Sequence, residues 1–405
     1  MRIFRLGLAA LLALAGTAAQ ADDPIKVLFV GDSLTFGRID PVMSYNAANV
    51  HDLTAAMWAA NADGSNTFEP HPWGGVPGIF KQMTVDAGLD YDVSLSTRNA
   101  ATLRGQFLNS NPANWDLRGN IASQTWDKVV LQEQSSEPLP QQAGLDSSPA
   151  YFSTYANLME NWVHQGTALT YRERDLIGGT NAACATLTGS STGTCSLQRS
   201  IPANPNASAN TQMYLYQTWA RPNLVDAPFT TVTDPVTGAV TNTTTPATSF
   251  YSSLQAQSTD IHNAFLAAAQ LAAADGSGGF AGIAPVGDAF QLAVNSGLVT
   301  ADMYAAGAGS DGLMDLWFDD GLHASKYGSY LSALTLFGSL TGLDPLTLGI
   351  DEKAAADLGI TPDQALVLER VASAELGFTT AVPEPSSAAL LLLGVGFVAW
   401  RKRRA

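Results

Sequence analysis

Short uninterrupted apolar runs alternate along the chain with longer stretches in which apolar positions recur every three or four residues. Runs of the first kind occupy 26–30 (KVLFV), 128–132 (KVVLQ), 212–218 (QMYLYQT) and 282–286 (GIAPV), with 91–94 as a weaker fifth. A strand covered on both faces needs no polar side, so these read as buried parallel strands. Within 151–164, Tyr151, Phe152, Tyr155, Leu158, Met159, Trp162 and Val163 fall on one stripe, which predicts a core-facing helix. Residues 251–274 read as a second helix with Leu254, Ile261, Phe265 and Leu266 inward, and 325–340 as a third, rich in small residues. The alternation predicts an α/β fold with a parallel sheet between two helical layers. Two stretches carry neither pattern, 178–205 and the Thr-rich 226–248, and read as insertions flanking the strand at 212.

The ends depart from this alternation. Arg2 and Arg5 precede an apolar stretch, 6–15, and Ala19-Gln20-Ala21 follow it. A basic start, an apolar middle and an A-x-A site are the parts of a secretory signal, so residues 1–21 are expected to be removed on export. At the other end, Val382-Pro383-Glu384-Pro385 precede 13 uncharged residues, 388–400, and then Arg401-Lys402-Arg403-Arg404. A spanning helix takes about 20 apolar residues, so this run is short unless its flanks contribute, and the basic cluster would stay cytoplasmic. The order of parts resembles a PEP-CTERM sorting tail over 379–405, with a plain C-terminal anchor as the simpler alternative. The resemblance implies an exosortase-type enzyme as partner and membrane contact that is at least transient. It also implies a periplasmic, outer-surface or extracellular-matrix destination in a Gram-negative bacterium.

Charge changes the picture of what the body can meet. Charged residues are only 14% of the 405, and 36 acidic residues outnumber 20 basic ones. Six basic residues and Glu384 lie in the two ends, which leaves 22–382 with 14 basic and 35 acidic residues, a net charge of −21. Such a body repels phosphate backbones, which argues against nucleic acid as a partner, and it attracts polyanions weakly, which favours neutral or acetyl-masked substrates. With both ends set aside, 22–378 is expected to form one domain. Cys184 and Cys195, separated by ten residues, form no C-x-x-C pair. Export favours one disulfide stapling a polar, flexible loop, with two free thiols as the alternative. No metal and no cofactor is expected.

Two segments carry candidate chemistry. Gly31-Asp32-Ser33-Leu34 follows the first strand. A serine at that strand end sits where helix N–H groups point outward, and its own N–H can donate to a developing oxyanion. A helix N-cap is the ordinary role for a serine there. A serine nucleophile needs a base, and five histidines are available. His164 and His262 fall on helices without an evident partner, His51 in an apparent helix, and His71 between two prolines in a turn. His323 follows Asp320 by three residues in WFDDGLHASKYG. That spacing lets the carboxylate reach the imidazole Nδ1–H and turn Nε2 toward the serine, and Gly321 gives the turn its freedom. Asp319 competes for the role, but the three-residue spacing favours Asp320.

The GDSLTFG and DDGLH segments together resemble the nucleophile and Asp-x-x-His blocks of the GDSL, or SGNH, hydrolases. The resemblance covers 26 to about 342, and VVLQEQS, LYQTWARP and APVGDAF are similar to the central strands of one subgroup. It implies a flavodoxin-like three-layer sandwich, with Ser33 as nucleophile, His323 as base and Asp320 as its orienter. The family's oxyanion hole takes a Gly and an Asn from its second and third blocks. Here Asn99-Ala100 stand where the glycine is expected, and Gln132-Glu133-Gln134 replace Gly-x-Asn. The expected donors are therefore the N–H groups of Ser33 and Ala100 and the amide of Gln134, with Gln132 next. The expected activity is hydrolysis of a small-molecule or glycan carboxylic ester, O-acetylated extracellular glycans being the favoured substrate and lipid or aryl esters the rivals. The odd third block leaves a non-catalytic surface or matrix binding protein as the alternative.

Overall fold

The computed structural model describes residues 23–60, 71–108, 116–226, 230–233, 240–243 and 249–379. The expected signal and sorting tail lie outside the described residues, apart from the start of the tail segment at 379. Six strands form the central sheet: β1 (Ile25–Gly31), β2 (His51–Asp52), β3 (Tyr91–Thr97), β4 (Lys128–Gln132), β5 (Gln212–Tyr216) and β6 (Gly282–Ala284). Their order is β6-β5-β4-β1-β3-β2, and every pairing is parallel. The main helices are α1 (Ser33–Phe36), α2 (Gly75–Asp86), α3 (Leu103–Leu108), α4 (Pro149–Gln165), α5 (Leu254–Ala274), α6 (Val286–Asn295), α7 (Lys326–Thr341) and α8 (Pro362–Glu375).

The apolar runs are explained by burial on both faces. Along β1, Val27 and Phe29 enter one core and Leu28 and Val30 the other. β4 divides the same way, Val130 against Val129 and Leu131, and so does β5, Tyr214 and Tyr216 against Met213 and Leu215. Helices α2, α6, α7 and α8 close the first core, and α3, α4 and α5 the second. This is the α/β sandwich that the alternation of runs predicts. The strand order reverses at β1, which lies between β3 and β4. In open parallel sheets, ligands bind at the carboxyl ends of the strands beside such a reversal.

Several sequence expectations are corrected. The weak run at 91 is a seven-residue strand, β3. The run at 282 is a strand only to Ala284, because helix α6 starts at Val286. His51 lies in the edge strand β2, not in a helix. Leu266 is 41% exposed while its neighbour Phe265 is fully buried, so the inward stripe of α5 runs through Ile261, Phe265, Ala268 and Ala272.

The segment 178–205 is not a flexible loop. It forms helices Asn181–Thr188 and Thr192–Ser196, and strand Gln198–Ile201 pairs antiparallel with Leu169–Arg172. Cys184 and Cys195 form the disulfide, and both are fully buried in the second core. The Thr-rich stretch contributes an antiparallel pair, Thr230–Thr233 with Val240–Thr243, among its described residues.

A buried carboxylate fastens this insertion to the sandwich. Glu173 has no solvent exposure. Its Oε1 accepts from Arg104 Nε at 2.9 Å, Arg104 Nη2 at 2.7 Å and the Tyr155 hydroxyl at 2.8 Å. Oε2 accepts from the Tyr151 hydroxyl at 2.8 Å. Arg199 Nη2, from the insertion, lies 3.4 Å from the same Oε1, so one group joins α3, α4 and the insertion. Glu173→Ala would leave a half-buried guanidinium and two tyrosine hydroxyls without their acceptor. The expected loss is about 3–5 kcal/mol in urea unfolding, and a loss below about 1 kcal/mol would contradict this role.

Candidate active site

β1 ends at Gly31, and the chain turns at once into α1. Asp32 caps that short helix, its Oδ1 accepting from Leu34 N at 3.0 Å, so Ser33 is the first helical residue rather than the cap. The turn is held from below by Gln132 at the end of β4. Its Oε1 accepts from Asp32 N and from Thr35 Oγ1, both at 2.8 Å. A Cβ at Gly31 would overlap Thr35 Oγ1 and Gln132 Oε1, so the tight turn requires glycine. The Ser33 N–H donates no hydrogen bond among the described residues, as expected of a first-turn amide facing outward.

The chain returns to this point from 290 residues away. His323 Nε2 lies 2.9 Å from Ser33 Oγ, and His323 Nδ1 lies 2.6 Å from Asp320 Oδ2. Asp320 Oδ1 accepts from the backbone N–H groups of Leu322 and His323, each at 2.9 Å. With Nδ1–H donating to the carboxylate, Nε2 is the lone-pair nitrogen and accepts the serine proton. Burial alone would raise the Asp320 carboxyl. Its bond to His323, the charge of that ring and the two backbone N–H groups outweigh burial and hold it below the ordinary carboxylate range. Gly321 takes φ +64°, and a Cβ there would overlap the Tyr304 hydroxyl. Asp319 is exposed.

The two remaining expected donors stand on neighbouring loops. Ala100, after β3, has φ +55°, the left-handed region that glycine favours, and its N–H donates to no described group. Gln134, after β4, accepts from Ser136 N at 2.8 Å, Ser136 Oγ at 2.9 Å and Glu137 N at 3.1 Å through Oε1. Those bonds fix the amide plane and leave Nε2 without a described partner. Gln132 has no such freedom: Oε1 holds the Ser33 turn and Nε2 donates to Glu133 O.

Sequence reasoning missed Glu133 and Arg221 here, and offered Gln132 only as a second oxyanion donor. Gln132 is the support of the nucleophile turn. Glu133, 1% exposed, accepts from Leu103 N at 2.9 Å and Gln134 N at 2.7 Å through one oxygen, which ties the loop after β3 to the loop after β4. Burial, and then the charge of Glu137, push its carboxyl well above the ordinary range. Arg221 is buried near both Asp32 and Asp320 and donates to Ser135 Oγ at 2.7 Å. The signal for Gln132 and Glu133 was present in the sequence: polar residues ending a doubly buried strand must find partners there.

The other histidines are placed apart from this group. His164, buried, lies 2.6 Å from Glu160 Oε1 through Nδ1 and 2.7 Å from Thr211 O through Nε2, so it does have a carboxylate partner, one helical turn earlier. His262 pairs with Asp288 at 2.8 Å on an exposed face, and His71 with Asp52 at 2.5 Å in the interior.

Residues 381–404 match the PEP-CTERM protein-sorting motif. No curated protein matches the chain in sequence. Among solved structures, a DUF4886 family protein from Bacteroides uniformis is similar at 14% identity and TM-score 0.41, over 90% of this chain and 99% of that one. A protein from Slackia heliotrinireducens, classed provisionally as an SGNH hydrolase, is similar at 16% identity and TM-score 0.36, over 78% and 100%. Est24, a carbohydrate acetylesterase from Sinorhizobium meliloti, is similar at 13% identity and TM-score 0.33, over 78% and 99%. No helix among the described residues is long and apolar enough to cross a membrane.

Burial raises the Asp32 carboxyl from 3.8 to about 7, against the opposing pull of Leu34 N–H, Gln132, Arg221 and Arg38. The fold therefore holds this proton more tightly than the unfolded chain does. The resulting stabilisation is complete below about pH 4 and is lost as pH rises through about 7. Asn caps a helix as well as Asp and does not titrate. In Asp32→Asn, the melting temperature relative to the parent is expected to become steadily more positive from about pH 4 to pH 7 and to level off above. A pH-independent difference would rule out a raised Asp32.

Proposed function

We propose that the chain is an exported serine esterase. The observation that carries this reading is the hydrogen-bonded chain Ser33 Oγ–His323 Nε2, His323 Nδ1–Asp320 Oδ2, at 2.9 and 2.6 Å, set at the carboxyl end of the central strand. Ser33 Oγ attacks the ester carbonyl carbon while His323 Nε2 takes the hydroxyl proton. The carbonyl oxygen becomes an oxyanion beside the N–H groups of Ser33 and Ala100 and the Gln134 amide. His323 then gives its proton to the leaving alkoxide, and an acyl-Ser33 ester remains. Water, deprotonated by His323, attacks that ester; the acyl–Oγ bond breaks, His323 returns the proton to Ser33 Oγ, and the acid is released. Asp320 fixes the tautomer and stabilises the imidazolium, and no metal enters these steps.

A cavity of about 630 Å³ lies behind the Asp320–His323 turn, and Tyr304 is shared between its wall and the packing against Gly321. The described residues that line it do not include Ser33, Asp320 or His323. The net charge of −21 over 22–382 supports acetylated neutral glycans over acidic ones. The PEP-CTERM motif at 381–404 supports export to the envelope or surface of a Gram-negative bacterium, with processing by an exosortase-type enzyme.

The purified body is expected to hydrolyse p-nitrophenyl acetate, and Ser33→Ala to lower kcat by at least about a thousandfold. Labelling by a fluorophosphonate probe is expected to vanish in both Ser33→Ala and His323→Ala. Unchanged turnover in Ser33→Ala would sink the assignment. An acetylated neutral oligosaccharide is expected to exceed its uronate counterpart in kcat/KM by about tenfold or more at low salt; the reverse order would remove the substrate proposal and leave the esterase intact.

A further inference from the structure

Arg221 occupies an unusual position for a cation. It is 8% exposed, directly follows the buried segment that continues β5, and among the described residues makes side-chain bonds only to neutral partners. Nη1 donates to Ser135 Oγ at 2.7 Å and Nε to Asn223 Oδ1 at 3.2 Å, while its backbone N–H donates to Gln257 Oε1 at 3.1 Å. Its charge is met at longer range by Asp320 and Asp32, which oppose the burial that lowers its own ionisation to about 10. A buried cation of this kind persists only where the surrounding carboxylates balance it. A direct salt bridge would compete with His323 for Asp320; here Asp320 keeps His323 and Asp32 keeps the cap of α1.

The segment around Arg221 grips both halves of the site. Ser135 stands next to Gln134 in the loop after β4. On the other side, Asn223 N donates to Gly321 O at 3.2 Å and Trp219 Nε1 to Leu322 O at 2.9 Å. Ala220 O accepts from Trp317 Nε1 at 3.0 Å. The same few residues therefore set the distance between the expected oxyanion donor and the acid–base turn.

We infer that Arg221 is a positioning residue for ester hydrolysis, a buried cation whose fork ties the loop carrying Gln134 to the segment that holds the Asp320–His323 turn. The inference rests on the esterase reading above. The ionisable groups that act on Arg221 are Asp320, Asp32 and Tyr304. Removing the guanidinium fork frees Ser135, the neighbour of Gln134, and the side chain of Asn223, and so loosens the span between the loop after β4 and the acid–base turn.

Two variants test the fork. Arg221→Gln is expected to lower kcat on p-nitrophenyl acetate by about 10- to 100-fold with little change in KM. Arg221→Lys keeps the charge and loses the fork, so its kcat is expected to fall as well. Guanidinium ion is expected to restore part of the activity of Arg221→Gly and none of that of Ser33→Ala. Ser135→Ala, which leaves the charge intact, is expected to behave as Arg221→Lys does, and the two carry the test if Arg221→Gln does not fold.

Failure of the esterase reading would show as an inert parent or an active Ser33→Ala, whereas failure of this inference leaves an active parent and an inert Ser33→Ala. The inference is overturned if the Gln and Lys variants keep kcat within twofold of the parent, or if guanidinium ion restores nothing to Arg221→Gly.

Discussion

Strand β1 is apolar on both faces, and that one property constrains most of what surrounds it. Val27 and Phe29 on one side and Leu28 and Val30 on the other cannot be covered by a single layer. The strand must lie inside a sheet with helices above and below, and its polar continuation, Asp32 and Ser33, can only emerge at the end. The reversal of strand order at β1 then places the loops after β3 and β4 on either side of that end. Every side chain discussed as part of the site stands at this edge because the strand interiors are filled by hydrocarbon.

The edge is dry enough for hydrogen bonds to be selective. Gln132 shows this most simply. At the end of β4, its amide oxygen is the acceptor that closes the Ser33 turn, and Gly31 has no Cβ because that oxygen occupies the space. Glu133, the next residue, joins the loops after β3 and β4 through one oxygen. Carboxyls packed this closely cannot all be charged at neutral pH. Asp320 stays ionised because donors converge on it, whereas burial pushes Asp32 and Glu133 toward the protonated form. Unequal environments around like groups assign different protonation states within one small site.

The periphery follows the same rule. Glu173 fastens the disulfide-bearing insertion to α3 and α4, and Glu160 with His164 fastens α4 to the segment entering β6 through Ser277 Oγ and Gly279 N. Both carboxylates are fully buried and have their lone pairs filled by donors from separate parts of the chain. The disulfide-bearing insertion and the segment entering β6 are thereby tied to the sandwich.

Local pattern alone determined the strands at 26, 128, 212 and 282 and the stripe of Tyr151 to Val163, because each is a statement about which faces are covered. The spacing of Asp320 and His323 was equally legible, since a three-residue turn brings those groups together whatever the rest of the chain does. Contacts between distant segments were not legible. Nothing near Gln132 in sequence says that its amide supports Asp32 and Thr35, and nothing near Arg221 says that Ser135 will accept its proton. The helical order of 181–196 was hidden by its polar composition, and adjacent apolar residues at 265 and 266 do not say which of the two faces the core. Those outcomes depend on which partners arrive at a buried polar atom or an apolar face. Only the packed tertiary structure, where every such group must be satisfied at once, decides that.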